Sequence, residues 1–359
     1  MSMTLIEASR LATDVLKKGL LESVVMDSPV LQQLPFIEVV GNALRYNREK
    51  FPPPGAWYAP QDAWAGATAQ EFEPMEAIVG ILGQDADVDQ YLKSTRANVQ
   101  DIEAIAIAQA AKGIRHGFED MFINGDPTVT PNQPAGLRSL IGGEAWQAAT
   151  AYALGDIVVP EEGEENGFRY ECVVAGTSDA AAPAWPIVHG DTVVDDTAEW
   201  ICRFGGHMAS GVNGDVLTLS RLDQLIDLVL GGKPDMLLMS KRSRRELQNL
   251  SRAAGSNLQV GTGKLGETVE FYNGIPVYPN DWIPNNLEVG GSGTVCSLVF
   301  ALKLGTDAVC GLTNSGLIQY ERIGVLEGFD ATRTRIKWYC GLAAFSAVNA
   351  AMLSGVTPA

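Results

Sequence analysis

The sequence predicts an α+β fold interrupted by a small all-β unit, and three observations lead there. One long helical signal, NVQDIEAIAIAQAAKGIRHGFEDMFIN from Asn98 to Asn124, dominates the first third; it would span about 40 Å at 1.5 Å per residue. From residue 205 onward, short apolar runs alternate with helix-like stretches and turn signals. Between the two the charge steps sharply: residues 144–204 carry 12 acidic and 2 basic side chains, net −10, whereas the other 298 residues carry 31 and 24, net −7.

At 359 residues, 46% hydrophobic and 19% charged, the chain can bury a sizeable core and is not a disordered polymer. Its net charge of −17 offers no cationic footprint for phosphates, which disfavours a dedicated nucleic-acid reader and docking on an anionic membrane. The longest weakly apolar stretch, Gly341 to Val356, has 16 residues including two serines and an asparagine, too short and too polar to span a bilayer. The N-terminus shows no secretory pattern, so cytosolic synthesis is expected. Five scattered cysteines (Cys172, Cys202, Cys296, Cys310, Cys340) fit neither a disulfide framework nor a zinc site and read as buried thiols.

In chain order, Leu5, Ala8, Leu11, Val15, Leu16 and Leu20 recur at helical spacing and predict an amphipathic helix that needs a partner surface. Phe51 to Pro74 is rich in Pro, Gly, Ala and aromatics. Prolines at 52, 53, 54 and 60 remove ladder donors, so this is a projecting extended loop. Trp57, Tyr58 and Trp64 on such a loop point to a surface that another molecule covers. EAIVGILGQDADVDQYLK alternates as a strand, with Asp85, Asp87 and Asp89 opposed to Ala86 and Val88. On the long helix, Val99, Ile102, Ala106, Ala110, Gly113, Ile114, Gly117 and Met121 line one face, whose small residues allow close packing. Residues 144–204 read as four or five short strands punctuated by Gly, Pro and Asp. GDVLTLSRLDQLIDLVLGG then predicts a helix, PDMLLMS a buried strand, and KRSRRELQNLSRAAG a helix capped by Ser240 and stopped at Gly255. EFYNGIPVYP predicts a hairpin turning at Asn273-Gly274. CSLVFAL, GLIQYERI and TRTRIKWYCGLAAFS are further strands.

No motif carries catalysis. GTGKLG (Gly261 to Gly266) matches a dinucleotide fingerprint literally, but strand and turn follow it where a helix is required. Asp85, Asp87 and Asp89 imitate a calcium loop that lacks its turn glycine and has Arg96 where a bidentate Glu belongs. His116, His189 and His207 are far apart, and no nucleophile elbow occurs. No enzyme, cofactor or metal is expected. Arg333, Arg335 and Lys337 alternate along one strand, either as a solvated face or as a basic row that meets an acidic neighbour.

The ordered set of parts resembles the major capsid proteins of tailed bacteriophages, with the Hong Kong 97-type fold. The resemblance rests on an N-terminal arm, an extended loop, a long helix ending in FINGDP, and PNQPAGLRSLI. It continues through GGKPDMLLMSKRSRRELQNL, FYNGIPVYPNDWIP and RIKWYCGLAAFSAVNAAMLSG, and covers most of residues 1–143 and 205–359. It implies an N-terminal arm over 1–50, an extended loop over 51–80 and a peripheral domain over 81–143 and 321–341 with spine helix 98–124. An inserted all-β domain at 144–204 and an axial domain over 205–320 and 342–359 complete it. It also implies subunit contacts through Trp57, Tyr58, Trp64 and Phe72 of the loop and Leu5, Leu11 and Val15 of the arm, with Arg333, Arg335 and Lys337 as an inter-subunit charge row.

The implied function is self-assembly, as pentamers and hexamers, into the icosahedral head of a tailed phage, made in the host cytoplasm. The shell would enclose DNA without sequence-specific binding, with portal, scaffold or decoration proteins as partners. An encapsulin-type compartment is the alternative from the same fold. No long scaffolding segment precedes the arm, so a mature chain or a separate scaffold is expected, and the absence of Lys and Arg from Phe51 to Leu92 disfavours a lysine crosslink from the loop. The insert resembles small β modules of phage structural proteins and carbohydrate-binding modules. Its Trp146, Tyr152, Tyr170, Trp185 and Trp200 are either core or a glycan platform, the latter making a carbohydrate-binding surface protein the third reading. Its charge places it on the outer surface, uncovered by neighbours.

Overall fold

The computed structural model describes residues 3–4, 28–51, 57–58, 60, 71–91, 102–230, 232–255, 258–262, 268–293, 295–314 and 318–359. Two sheets and one long helix organise them. The first sheet is built on β21 (Ala331–Ala344), whose one edge runs along β5 (Gly80–Asp89). Its other edge is divided between β20 (Gln319–Val325) and β19 (Val309–Thr313); β2 (Pro35–Glu38) and β1 (Met3–Thr4) continue beyond β19. A short helix, α1 (Pro29–Gln33), capped by the Ser28 side chain, leads into β2.

The spine helix α2 (Ile102–Asn124) lies against β5 and β21. Period-two alternation on β5 turns Ala86 and Val88 toward the helix and Asp85 and Asp87 away from it. Phe118 stacks on Trp338 at 4.7 Å between centroids, and Phe36 from β2 closes on both at 6.0 and 5.5 Å. Gly117 admits Leu82: a Cβ there would lie 3.0 Å from its Cδ1. The buried face of the helix nevertheless differs from the expected one, because Ile107, Ala111, Phe118 and Phe122 are buried as well. Burial is wide because the core on this helix includes residues of both sheets.

The second sheet has the path β15–β16–β17–β14–β18–β22–β12–β9–β8–β6. Its members are β15 (Gln259–Thr262), β16 (Thr268–Tyr272), β17 (Ile275–Pro279), β14 (Met236–Met239), β18 (Ser297–Leu302) and β22 (Ala350–Thr357). Then come β12 (Ala198–Ala209), β9 (Asn166–Val174), β8 (Ile157–Val159) and β6 (Glu144–Ala145). β11 (Thr192–Asp195) pairs with β12 and β13 (Asp215–Val216) with β22, while β7 (Ala151–Tyr152) and β10 (Gly176–Thr177) form a separate pair. On one face, Leu237, Val277, Val299 and Leu353 meet Leu222 and Leu225 of α4 (Leu219–Asp227) and Leu247 of α5 (Lys241–Ala253). On the other, Met236, Leu238, Phe300 and Met352 join the spine-helix core. Ser240 caps α5, and Asn273 and Gly274 both take positive φ (49° and 70°), which the tight hairpin turn requires. A last short helix, α3 (Leu137–Ile141), precedes β6.

Three expected boundaries are corrected. β2, drawn with the arm, and β19, drawn with the axial domain, are strands of the spine sheet. β3 (Ala43–Phe51), also drawn with the arm, is one half of a ribbon with β4 (Glu71–Ile78). The insert does not end at residue 204. β12 pairs with β9 of the insert and continues through His207–Ala209, which pair in parallel with Met352–Ser354, so one strand serves both units.

Candidate shell-forming surfaces

The β3–β4 ribbon is a two-stranded sheet of its own, with Ala43 opposite Ile78 and Phe51 opposite Glu71. Pro74 is tolerated because such a ribbon has free edges. Its root is fixed by Tyr46, whose hydroxyl donates to the Ala344 carbonyl at 3.0 Å and whose ring meets Phe345 edge-on at 4.7 Å. An exposed Arg45–Glu76 pair at 3.2 Å spans the strands. A lone two-stranded ribbon is marginal in water, and here Leu44, Tyr46 and Ala77 at its root pack with Cys310, Leu312 and Ala343 of the spine sheet. Beyond it Trp57 is fully exposed (101%) and Tyr58 half-buried; Phe72 stands in β4 opposite Glu49. Trp64, and Leu5, Leu11 and Val15 with the rest of the amphipathic stretch, lie outside the described residues.

The basic row finds acidic partners within the chain. Register places Arg333 opposite Asp87 and Arg335 opposite Asp85. Arg333 donates to both Asp87 oxygens at 2.7 and 2.6 Å, Arg335 to both Asp85 oxygens at 2.8 and 3.0 Å, and Lys337 to Glu321 at 3.2 Å. These hydrogen bonds hold the Asp85 and Asp87 carboxyls below the usual carboxylate range. The aspartates that imitated a calcium loop are therefore one half of a cross-strand ladder.

The glycan platform is corrected. Trp146, Tyr170 and Trp200 are buried, and Tyr152 and Trp185 pack against them, with Tyr170–Trp185 centroids at 4.2 Å and Tyr152–Trp200 at 4.9 Å. A unit this small uses its aromatics as core, which leaves Trp146, Tyr170 and Trp200 no open face for sugar. The organising residue, not singled out in the sequence, is buried Asp195. Its Oδ2 accepts from the indole nitrogens of Trp146 (2.8 Å) and Trp200 (3.0 Å), and its Oδ1 from the Asp179 amide (2.9 Å).

Where β12 crosses into the body, His207 bonds Ser354 Oγ at 3.1 Å and lies 3.8 Å from the buried carboxylate of Glu165. Burial, with the Arg138 charge, lowers the His207 pKa to about 4; burial raises that of Glu165. All five cysteines are buried. Gly261 lies in β15, paired with Val269, so the glycine-rich stretch begins inside a hairpin strand and not at a helix. Among the described residues no His, Cys, Asp and Glu side chains gather as a metal-binding group, and no helix is long and apolar enough to cross a membrane. An apolar patch missed in the sequence is the far end of the spine sheet, where Ile323, Val325 and Phe329 are exposed and the Gln90 amide bonds the Asp330 carbonyl beside exposed Tyr91.

Together, the spine helix on its sheet, the projecting ribbon and the helix-covered second sheet define the Hong Kong 97-type capsid fold. No family model matches the chain, and no curated protein does. Solved structures do. The encapsulin complex of Synechococcus elongatus PCC 7942 superposes with TM-score 0.58 at 15% identity, covering 98% of this chain and 95% of that one. The capsid of a native GTA particle gives 0.55 at 12% identity, over 93% and 91%. Microbacterium phage Oxtober96 gives 0.53 at 12% identity, over 92% and 91%.

Proposed function

We propose that the chain is a shell-forming protein and, more narrowly, the major capsid protein of a tailed-phage head that encloses DNA. The observation that carries the reading is a fold shared almost end to end with subunits of closed shells, in a chain whose own ribbon is left uncovered. A protomer that exposes an isolated ribbon, a fully exposed Trp57 and an apolar sheet end hides them by packing on copies of itself, and many weak contacts sum to a closed particle. The reading assigns no catalysis and no cofactor. It places the protein in the virion, with portal and scaffold or decoration proteins as partners and the insert facing outward. The deciding experiment is electron microscopy of the purified full chain. Uniform closed particles support the proposal, and failure to form them both alone and in the presence of a scaffold protein refutes it. Particles formed in the presence of portal and packaging proteins that take up DNA identify a head; empty particles that recruit a host enzyme identify an encapsulin-type compartment instead.

A further inference from the structure

The second sheet carries opposite charge on its two flanks. On one flank α5 packs over β17 and bears five cations (Lys241, Arg242, Arg244, Arg245, Arg252) against one acid, Glu246, within 13 residues of a chain whose net charge is −17. Two of them are engaged within the subunit. Lys241 pairs with Asp281 at 2.7 Å, and Arg242 donates to the carbonyls of Val295 and Val356 at 2.8 Å each. Arg245 and Arg252 are exposed on the outward face, two turns and about 10 Å apart.

On the same face α4 packs over β18 and β22, and past it, at β12 and β9, lies the second patch, four strands from β17 and about 20 Å away at the usual strand spacing. Here α4 and the loop before β9 face each other across a groove of about 610 Å³. Its floor is apolar, formed by Phe168, Phe204, Met208 and Leu228, and its rim carries Glu164 and Asp227. Glu161 and Glu162 extend the acidic surface, and all four of these carboxylates are exposed; Asp223 of α4 is engaged on the α5 side, accepting from Tyr272 and Asn273 at 2.8 and 3.1 Å. The one basic residue on the rim, Arg221, bonds Gln224 of its own helix at 3.3 Å.

An apolar floor under a carboxylate rim suits an arginine, whose alkyl stem covers hydrocarbon, whose guanidinium stacks on a phenylalanine face and whose fork pairs with a carboxylate. We infer that α5 of one subunit docks in the groove between insert and α4 of the next copy of this chain, Arg245 and Arg252 pairing with Glu164 and Asp227. Two different patches of one subunit, α5 over β17 and the groove beyond α4, make a head-to-tail contact, the kind that closes into rings. The inference rests on the shell-forming reading and adds to it: the insert takes part in ring closure, and its 161–164 loop is covered by a neighbour although its charge alone would leave it open.

The test is charge reversal in the full chain, read by particle yield in electron microscopy and native mass spectrometry. Arg245→Glu with Arg252→Glu is expected to lower the yield of closed particles at least tenfold, and Glu164→Arg with Asp227→Arg to do the same. The chain carrying all four substitutions is expected to recover most of the yield, because the contact is complementary again. Circular dichroism matching the parent shows that each variant folds. Full assembly of either double variant, or no recovery in the fourfold one, overturns the inference, as does unchanged assembly with less co-purified nucleic acid in the α5 variant, which would turn that helix toward DNA. Failure of the unmodified chain to form particles either alone or with a scaffold protein refutes the shell reading itself and is seen separately.

Discussion

Asp195→Ala tests whether the insert is organised from its interior. The carboxylate is 2% exposed and accepts three hydrogen bonds, two of them from indole nitrogens buried with it. Removing it strands both indole N–H groups, each costing about 1–3 kcal/mol, and frees a partly exposed amide; relief from burying a carboxylate offsets part of this. The net loss is about 3 kcal/mol, which at about 2–4 °C per kcal/mol for a unit of this order lowers the transition by about 6–12 °C. Tryptophan fluorescence during thermal melting reads it directly, because three tryptophans lie in the affected core. Asp191→Ala, at an exposed position, removes the same charge and is the control. Asp195→Asn should fall between, since its carbonyl oxygen can serve both indoles while its amide opposes the Asp179 N–H. A melt of Asp195→Ala within about 2 °C of the control would refute the reasoning.

Four further outcomes are expected. Because the folded pKa of His207 is lowered from 6.5 to about 4, its contribution to stability is complete above about pH 6.5 and is lost as the pH falls toward 4; the span is on the order of 3 kcal/mol, and the raised Glu165 pKa opposes it in part. His207→Gln should flatten that part of a urea-denaturation pH profile, and an unchanged profile counts against the assignment. Gly311→Ala would place a Cβ 2.3 Å from the Phe36 ring, itself held by Phe118 and Trp338, and should cost about 1–3 kcal/mol in chemical denaturation; a neutral result means the stack can move. Arg335→Ala should raise the Asp85 carboxyl pKa toward its ordinary value in an NMR titration, with Asp87 little changed. Burial pushes the Cys310 and Cys340 thiols up to about 12, so neither should react with iodoacetamide until the chain unfolds.

Features with a local cause were legible in the sequence. The alternation of β5 shows because one face meets a helix and the other meets water, and the Asn273-Gly274 turn shows because its backbone demands positive φ. The spine helix is visible from composition and length, but its buried face depends on what presses on it, so Phe118 and Phe122 were left off that face. Pairings across long sequence separations were not legible. Arg333 and Arg335 gave no sign that their counter-charges stood about 250 residues earlier, because register is fixed by tertiary packing and not by either strand alone. Asp195 was hidden differently: among 12 acids in the insert, only the folded contacts mark the one that accepts from two indoles and an amide.

The shared strand β12 changes what the acidic insert can do. A module joined by two flexible linkers would sample many orientations, and its charge would act as a diffuse cloud screened over about 8 Å at physiological salt. Here Trp200 pairs with Cys172 inside the insert, while His207 to Ala209 of the same strand pair with β22 in the heart of the body. A part-buried Arg203–Glu171 pair at 3.1 Å holds β12 to β9 within the insert, and the His207–Ser354 bond ties the same strand to β22. Bending at this joint must break the pairing of His207–Ala209 with β22 and the His207–Ser354 bond. The insert therefore moves with the body as one piece. Its carboxylates, weak as isolated surface charges, are held at fixed positions relative to the sheet, and in a closed array the same fixed arrangement recurs in every subunit. That rigidity is what lets a few exposed charges select one docking geometry over another.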